Sequence, residues 1–424
     1  MPQLPPTKTD IRALFRRVFA YTPPQVIRVP ASLELLGGYT ESHGGLICST
    51  AVDRYVDFAI SQRNDGRIAF VAGAPDRHCE IWLREFTPGK VPGWAAQVAA
   101  IVQYLQELGT NIRGFNAAVV SGIPPDMGLG ETSSLSLATV LGLQAAFKFD
   151  VRESGLRPQS GRSASEGPRG MTRRECHRLA DICCAGEVTG RLGDGEWFRK
   201  VSPLLNLPFE LSQHDALHRT SESHPLMGDY ALVLLDSGVR DVDYGTRRSH
   251  TELRFDVGAA RLGVKRLRSA TPELLKNCPR NMTGQEKGAT WFWTGECARA
   301  VAVEKALAAG DLAQFGCYLS QSHDDARRMA GLTVPELDLL AELAMSRPEC
   351  AGARFSGSPT HGGVVCLVHR SSVDRFLTNV TMKYERSTGR ICQGYQVNPV
   401  PGVVSNQLRN RPVHAPTGGR RNCS

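Results

Sequence analysis

The chain has 424 residues, of which 41% are hydrophobic and 22% charged, a balance that excludes wholesale disorder and fibrous repeats and leaves room for two or three domains or one large two-lobed unit. No apolar run nears the roughly 18 residues that a bilayer span needs, and the start "MPQLPPTKTD" lacks the charged-then-apolar pattern of a secretory leader, so a cytoplasmic location without membrane contact is expected. The net charge is +8, but much of the excess sits in two stretches of disordered composition, "RESGLRPQSGRSASEGPRGMTRR" and "NQLRNRPVHAPTGGRRNCS", which weakens a nucleic-acid reading.

Residues 1–24 read as an N-terminal extension. "RVPASLELLGGYTESHGGLICSTAVDRYVDFAIS" follows, with alternating and β-branched residues around Gly37, Gly38, Gly44 and Gly45 that predict strand, turn, strand. "FNAAVVSGI" predicts another strand, and it leads into "PPDMGLGETSS", a glycine turn that feeds a buried helix over Leu135–Phe147. Residues 151–172, rich in Ser, Arg, Gly and Pro, read as a surface insertion without fixed structure. A helix over Cys176–Glu187, a strand in "DYALVLLDSGV" and a helix-rich stretch from about Thr246 to Met345 come next. "CAGARFSGSPTHGGVVCLVHR" closes the series with strand, glycine turn, strand. Strands and helices mix without regular alternation and no repeat recurs at a fixed period, which predicts an α+β fold. Twelve cysteines occur without any C-x-x-C, as reduced thiols would.

The turn at Gly128 and Gly130 lacks the Gly-Lys-Ser/Thr ending of a P-loop. Two readings of it stay open: Thr132, Ser133 and Ser134 cap a helix, or the exposed N–H groups and positive helix end cradle a phosphate. Glu131 is the awkward residue, because a carboxylate pointing into the cradle would repel a triphosphate.

Three glycine-bearing segments, taken together and in this order, resemble the galactokinase branch of the GHMP kinase superfamily over most of residues 25–405. "VPASLELLGGYTESHGG" is similar to the first motif A-P-G-R-V-N-L-I-G-E-H-T-D-Y-N-G-G, and more so to the G-R-L-D-V-M-G-G form of arabinokinase-like relatives, which shares Gly37, Gly38 and an acid at Glu34. Pro124 to Ser133 resembles P-x-G-G-G-L-S-S-S-A, and "GARFSGSPTHGGV" resembles G-A-R-M-T-G-G-G-F-G-G-C. "EKALAAGDLAQFGCYLSQSHDDARRMAGLTVPELDLLAELA" and "DSGVRDVDYGTRRSH" also match the branch.

The resemblance implies a two-lobed fold with its site between lobes: an N-terminal domain over 25–215, a C-terminal domain over 216–405 and a tail over 406–424. It implies ATP and Mg²⁺, a small-molecule sugar, a monomer or weak dimer, and phosphorylation of the anomeric hydroxyl of galactose or a related sugar. The nucleotide would meet Pro124, Gly128, Leu129, Gly130, Thr132, Ser133 and Ser134. Thr132 takes the place of the hydroxyl that reaches the metal, and Glu187 stands in for the metal-binding glutamate, about two residues out of step. The sugar would meet Gly38, Tyr39, Glu41, Tyr244, Gly357 and Ser358; Tyr244 serves equally well as a half-buried core tyrosine.

Two departures matter. The motif-one arginine is Ser32 here, and Arg28, four residues upstream, is the candidate to replace it. The catalytic aspartate segment is rewritten as "GRLGDGEWFRK", which makes Glu196 its counterpart and Asp194 the second candidate for orienting or accepting the sugar proton; the same acids could simply face water in a polar turn. With Glu131, Pro359 and His361, these departures support an alternative, a nucleotide- or sugar-binding sensor without turnover. L-arabinokinase-like activity is the other alternative, and nucleic-acid binding through residues 151–172 is a weaker third class.

Overall fold

The computed structural model describes residues 9–152, 155–158, 171–192, 196–226, 228–240, 244–357 and 362–404. In the N-terminal half the elements are α1 (Ile11–Phe19), β1 (Gln25–Leu36), β2 (Leu46–Gln62), β3 (Arg67–Ala72), β4 (His78–Trp82), α2 (Ala96–Glu107), β5 (Phe115–Ser121), α3 (Glu131–Phe147), β6 (Phe149–Arg152), β7 (Gly155–Pro158), α4 (Arg173–Thr189), α5 (Phe198–Leu205), β8 (Glu210–Asp215) and β9 (Thr220–Pro225). The C-terminal half holds β10 (Tyr230–Asp236), α6 (Tyr244–Arg261), α7 (Pro272–Lys276), α8 (Gly284–Ala308), α9 (Leu312–Arg328), α10 (Pro335–Met345), β11 (Cys350–Ser356), β12 (Gly363–His369), α11 (Val373–Thr388) and β13 (Gly394–Val397).

The long strand β2 organises the first sheet. One edge pairs with β1 from Gln25 opposite Ile60 to Leu36 opposite Cys48. The other is shared, residues 56–62 pairing with β5 and residues 46–49 with β8. Strands β3 and β4 extend the sheet past β5, and β9 extends it past β8, giving seven strands. From Pro30 to Leu36 every residue of β1 is buried, because α3 covers it and α8, α9 and β11 of the other half lie against it. Burial on all sides explains why "PASLELL" shows no apolar–polar alternation. Helix α3 is buried around nearly its whole circumference, with apolar side chains on every face and Ser134, Ser136 and Thr139 satisfied by hydrogen bonds inside.

The second sheet is antiparallel, in the order β11-β12-β10-β13, with α6, α8, α10 and α11 over its core. The α+β expectation holds. Three organisational details differ from the sequence reading. The extension contains an amphipathic helix, α1, whose Ile11, Leu14 and Phe15 pack on Ala59, Val71 and Ala118 of the sheet. The start of the insertion pairs as the β6-β7 hairpin, while residues 159–170 lie outside the described ones. The first sheet runs on to Pro225 through the β8-β9 hairpin, so a boundary at 215 would cut that hairpin. Among the described residues no helix is long and apolar enough to cross a membrane, and the cysteines are free thiols.

The two halves meet backbone to backbone where the α3 loop touches the turn after β11. Gly128 and Gly357 both have positive φ, 70° and 75°. A β-carbon at 128 would lie 2.2 Å from Gly357 Cα, and one at 357 would lie 2.5 Å from Gly128 Cα. Ser356 Oγ donates to Met127 O at 3.0 Å beside this contact. We expect Gly357→Ala to lower unfolding stability in urea by about 2–4 kcal/mol, since overpacking and a left-handed backbone add; a loss below about 0.5 kcal/mol would show that the two turns can separate freely.

Candidate functional site

Helix α3 begins without any side-chain cap: Gly130, in the left-handed region, precedes it and offers none. Its first helical bond runs from Ser134 N to Gly130 O at 2.9 Å, so the N–H groups of Glu131, Thr132 and Ser133 have no intrahelical partner, an arrangement able to receive an anion. The loop before it is pinned from both halves. Ser32 N donates to Leu129 O at 3.0 Å, and Ser356 holds Met127 as described.

Within this loop the hydroxyls have different duties. Thr132 is exposed at the helix start. Ser133 is buried and its Oγ accepts from Lys200 Nζ at 3.2 Å. Ser134 is also buried and donates to Pro30 O at 2.9 Å, so its hydroxyl fastens α3 to β1 and is not available to a nucleotide. Glu131 hydrogen-bonds Ser121 at the end of β5; burial raises its carboxyl pKa, with that bond opposing. Its carboxylate is thus tied to β5.

The acids and cations of the site come from three elements. Glu41 lies in the 3₁₀ turn Gly38–His43. Its Oε1 accepts from Trp197 N at 2.9 Å and lies 3.4 Å from Arg219 Nη1, while its Oε2 is buried with no hydrogen-bond partner. Burial first, and then the charge of Glu196, push the Glu41 carboxyl up to about 6, against the Trp197 N–H, Arg219 and Lys200. Glu196, just ahead of α5, accepts from Arg199 Nε at 2.6 Å. Arg199 also donates to Gly128 O at 2.8 Å and to Glu34 Oε2 at 3.2 Å.

Arg199, and not Arg28, stands beside Ser32. A β-carbon built on Gly130 would stand 3.6 Å from Ser32 Cβ and 3.7 Å from Arg199 Cβ, so the arginine stem from α5 fills the space beside the serine. Arg28 is not part of the cluster: its side chain is 63% exposed and paired to Asp57 at 2.6 Å, because its place in β1 faces outward. Sequence reasoning missed Arg199 although "EWFRK" carried a signal, two cations in a helix whose every residue is buried.

A second exchange sits next to the first. Motif one has a glutamate where this chain has Gly38, and the Glu34 carboxylate fills that volume: a β-carbon at 38 would lie 1.9 Å from Glu34 Oε2. Glu34 Oε1 accepts from Gly38 N at 3.0 Å and pairs with fully buried Arg354 at 3.0 Å. Arg354 pairs in turn with Glu296 at 3.4 Å, Glu296 with Arg299 at 2.8 Å, and Arg299 with Asp325 at 2.6 Å. Glu296 also accepts from Gly37 N at 2.9 Å. Although burial opposes it, Arg354 and Arg299 hold the Glu296 carboxyl below its ordinary range.

Other expected positions divide. Tyr39 is buried, its ring edge-on to Phe355 within the C-terminal core, so the ring anchors the turn that carries Glu41. Pro124 and Leu129 are buried in the loop, and Gly357 touches Gly128. The side chain of Tyr244, and Asp194, Ser358, Pro359 and His361, lie outside the described residues.

The Mg²⁺ expected at Thr132 and Glu187 does not fit these residues. Both oxygens of Glu187 are engaged, one by Ser136 Oγ at 2.7 Å and the other by Lys200 Nζ at 2.9 Å. Among the described residues no group of three or more His, Cys, Asp or Glu side chains is placed to hold a metal ion.

A family model for the galactokinase galactose-binding signature matches residues 13–62, and one for the GHMP kinase N-terminal domain matches residues 96–183. The chain belongs to the GHMP kinase superfamily, on its galactokinase branch. The galactokinase of Roseiflexus sp. (strain RS-1) is 23% identical over 401 residues, covering 93% of this chain and 96% of that one. Lactococcus lactis galactokinase, solved in complex with galactose, superposes with a TM-score of 0.79 at 21% identity, over 92% of this chain and 97% of that one. Methanococcus jannaschii mevalonate kinase gives 0.59 at 12% identity over 89% and 98%. The two family matches bracket the site: the first contains Ser32, Glu34 and Glu41, and the second contains the α3 loop.

Glu41 yields a pH prediction. Its carboxyl titrates higher in the folded chain than in the unfolded one, so the folded state binds the extra proton and loses stability as pH rises from the ordinary carboxylate range through about 6, with the full cost present above. We expect Glu41→Gln to stabilise the chain by on the order of 1–2 kcal/mol at pH 8 and to leave it nearly unchanged at pH 4. Urea unfolding at the two pH values checks this, and equal effects at both would refute the assignment.

Proposed function

We propose that this protein is an ATP-dependent sugar kinase that phosphorylates the anomeric hydroxyl of galactose. The observation that carries the reading is the Arg199 guanidinium, held between Gly128 O, Glu196 and Glu34 at the edge of an uncapped helix start. Phosphoryl transfer needs an anion cradle, a fixed cation at the transferred group and a group to orient the nucleophile. The start of α3 binds phosphate, Arg199 stabilises charge developing on the transferred phosphoryl, and Glu196 orients the sugar hydroxyl and accepts its proton as the new O–P bond forms and ADP leaves. Glu41 Oε2, buried and unpartnered, accepts from sugar hydroxyls. The L. lactis enzyme, solved with galactose, and the galactose-binding signature over residues 13–62 support galactose as the sugar. Free thiols support a cytosolic setting.

The sensor alternative drew support from Ser32 and the rewritten aspartate loop. Arg199 and Glu196 supply the same chemical groups from α5 and the residue before it, so this alternative is not favoured.

ATP consumption over a panel of free hexoses and pentoses tests the reading. Turnover on galactose is expected, and Glu196→Ala should lower kcat by about 10²–10⁴. Turnover on pentoses alone would reassign the sugar, and no turnover on any sugar would refute the activity. Arg199→Ala should cost about 10²–10³ in kcat, and Ser32→Arg in the same chain should recover part of the loss, since the two β-carbons flank one volume. An Arg199→Ala enzyme with unchanged kcat would show that the guanidinium serves structure only.

A further inference from the structure

Directly beneath the cradle, a lysine stands where a hydroxyl and a carboxylate converge. Lys200 is fully buried. Its Nζ donates to Ser133 Oγ at 3.2 Å, Glu187 Oε2 at 2.9 Å and Glu196 O at 3.1 Å, which uses all of an ammonium's donors. The acceptors are themselves tied. Glu187 Oε1 accepts from Ser136 Oγ at 2.7 Å, and Ser136 Oγ accepts from Gln97 Nε2 at 2.6 Å, so the cluster joins α2, α3, α4 and α5. Burial alone would pull the Lys200 pKa down, but Glu187 and the neighbouring Cys184 and Cys183 outweigh it and push it up to about 12.

We propose that the Lys200 ammonium is the resident cation of the phosphate cradle, bound to Ser133 and occupying Glu187, the acid that the family resemblance pairs with Thr132 to seat a divalent metal, so that this protein binds nucleotide without a metal bond to that carboxylate. The proposal rests on the kinase reading for the identity of the anion. A hydroxyl, a carboxylate and a carbonyl oxygen converging on one point suit a hard divalent cation. Here they are saturated by a covalently tethered monovalent one. A second cation entering the same buried volume would have to expel the first, whose four-carbon stem is packed among side chains with no exposure to solvent. Ser133 lies in the first turn of α3, so the charge acts on the same helix end that faces the phosphates.

The test reads binding, not turnover. ADP affinity of the unmodified protein is measured by calorimetry in EDTA and in Mg²⁺, and Mn²⁺ binding to the nucleotide-free protein is followed by electron paramagnetic resonance. The expected result is ADP dissociation constants within about threefold of each other in the two conditions, with no Mn²⁺ site on the free protein. Lys200→Ala should create a Mn²⁺ site at least about tenfold tighter than any on the unmodified chain, lose ADP affinity in EDTA, and regain it with Mn²⁺. The first comparison needs no variant, so a Lys200→Ala chain that fails to fold does not remove the test. ADP binding that falls tenfold or more in EDTA would overturn the Lys200 proposal and leave the kinase reading standing. Failure to bind ADP in either condition would overturn both. Binding in both conditions without turnover on any sugar would sink the sugar-kinase reading while upholding Lys200.

Discussion

The site is held by an alternating line of acids and arginines, buried along its length and half-buried at its two end acids. It runs from Glu196 through Arg199, Glu34, Arg354, Glu296 and Arg299 to Asp325, and so passes from the edge of α5 through β1 and β11 to α8 and α9. Taking such charges out of water is expensive, and pairs of this kind seldom add net stability over apolar packing. What they contribute is position. The two inner carboxylates, Glu34 and Glu296, are each fixed by arginines on two sides and by a backbone N–H, from Gly38 and Gly37 respectively, and removing one member strands a neighbour in a dry interior. Strand β1, at the junction of the two halves, therefore has its register set by charge as well as by sheet pairing.

That line explains how the chain departs from its branch in sequence while keeping a comparable arrangement of charge. The cation absent from position 32 enters from α5, and the acid absent from position 38 enters from Glu34. In both cases the charged group comes from a different point of the chain and stands beside the residue that lacks it. In our proposal Lys200 extends the pattern from side chains to a metal, a tethered charge standing at Glu187, the acid that the resemblance gives to a free ion.

Much of this was legible in the sequence and some was not, for definite reasons. The strands flanking Gly37–Gly45, β5, the helix from the glycine loop, and β10 to β12 all announce themselves through glycine punctuation and period, since each is bounded by turns and buried on a known face. Strand β9, "TSESHP", was missed because it is a polar edge strand with alternating exposure, where composition resembles a loop. Helix α1 was readable in principle from Ile11, Leu14 and Phe15 at helical spacing, but its proline-rich lead-in drew it into the extension. Ser32 and Gly38 were visible as losses, whereas Arg199 could not be matched to Ser32 from sequence, because the pairing joins residues far apart in the chain through a volume that only the fold creates. The same holds for Glu187, whose acid character was readable but whose prior engagement with Lys200 was not.

The contact of Gly128 with Gly357 has a mechanical meaning. Two backbones meeting without side chains form a joint with no compressible layer, since there are no rotamers to rearrange and no methyl groups to slide. The halves cannot draw closer along the line joining these residues. A rotation of one half against the other with this joint as its fulcrum would be small at the phosphate cradle and grow with distance from it. Parts of the two halves far from Gly128 and Gly357 would travel in such a swing, while the cradle beside the joint would keep its shape.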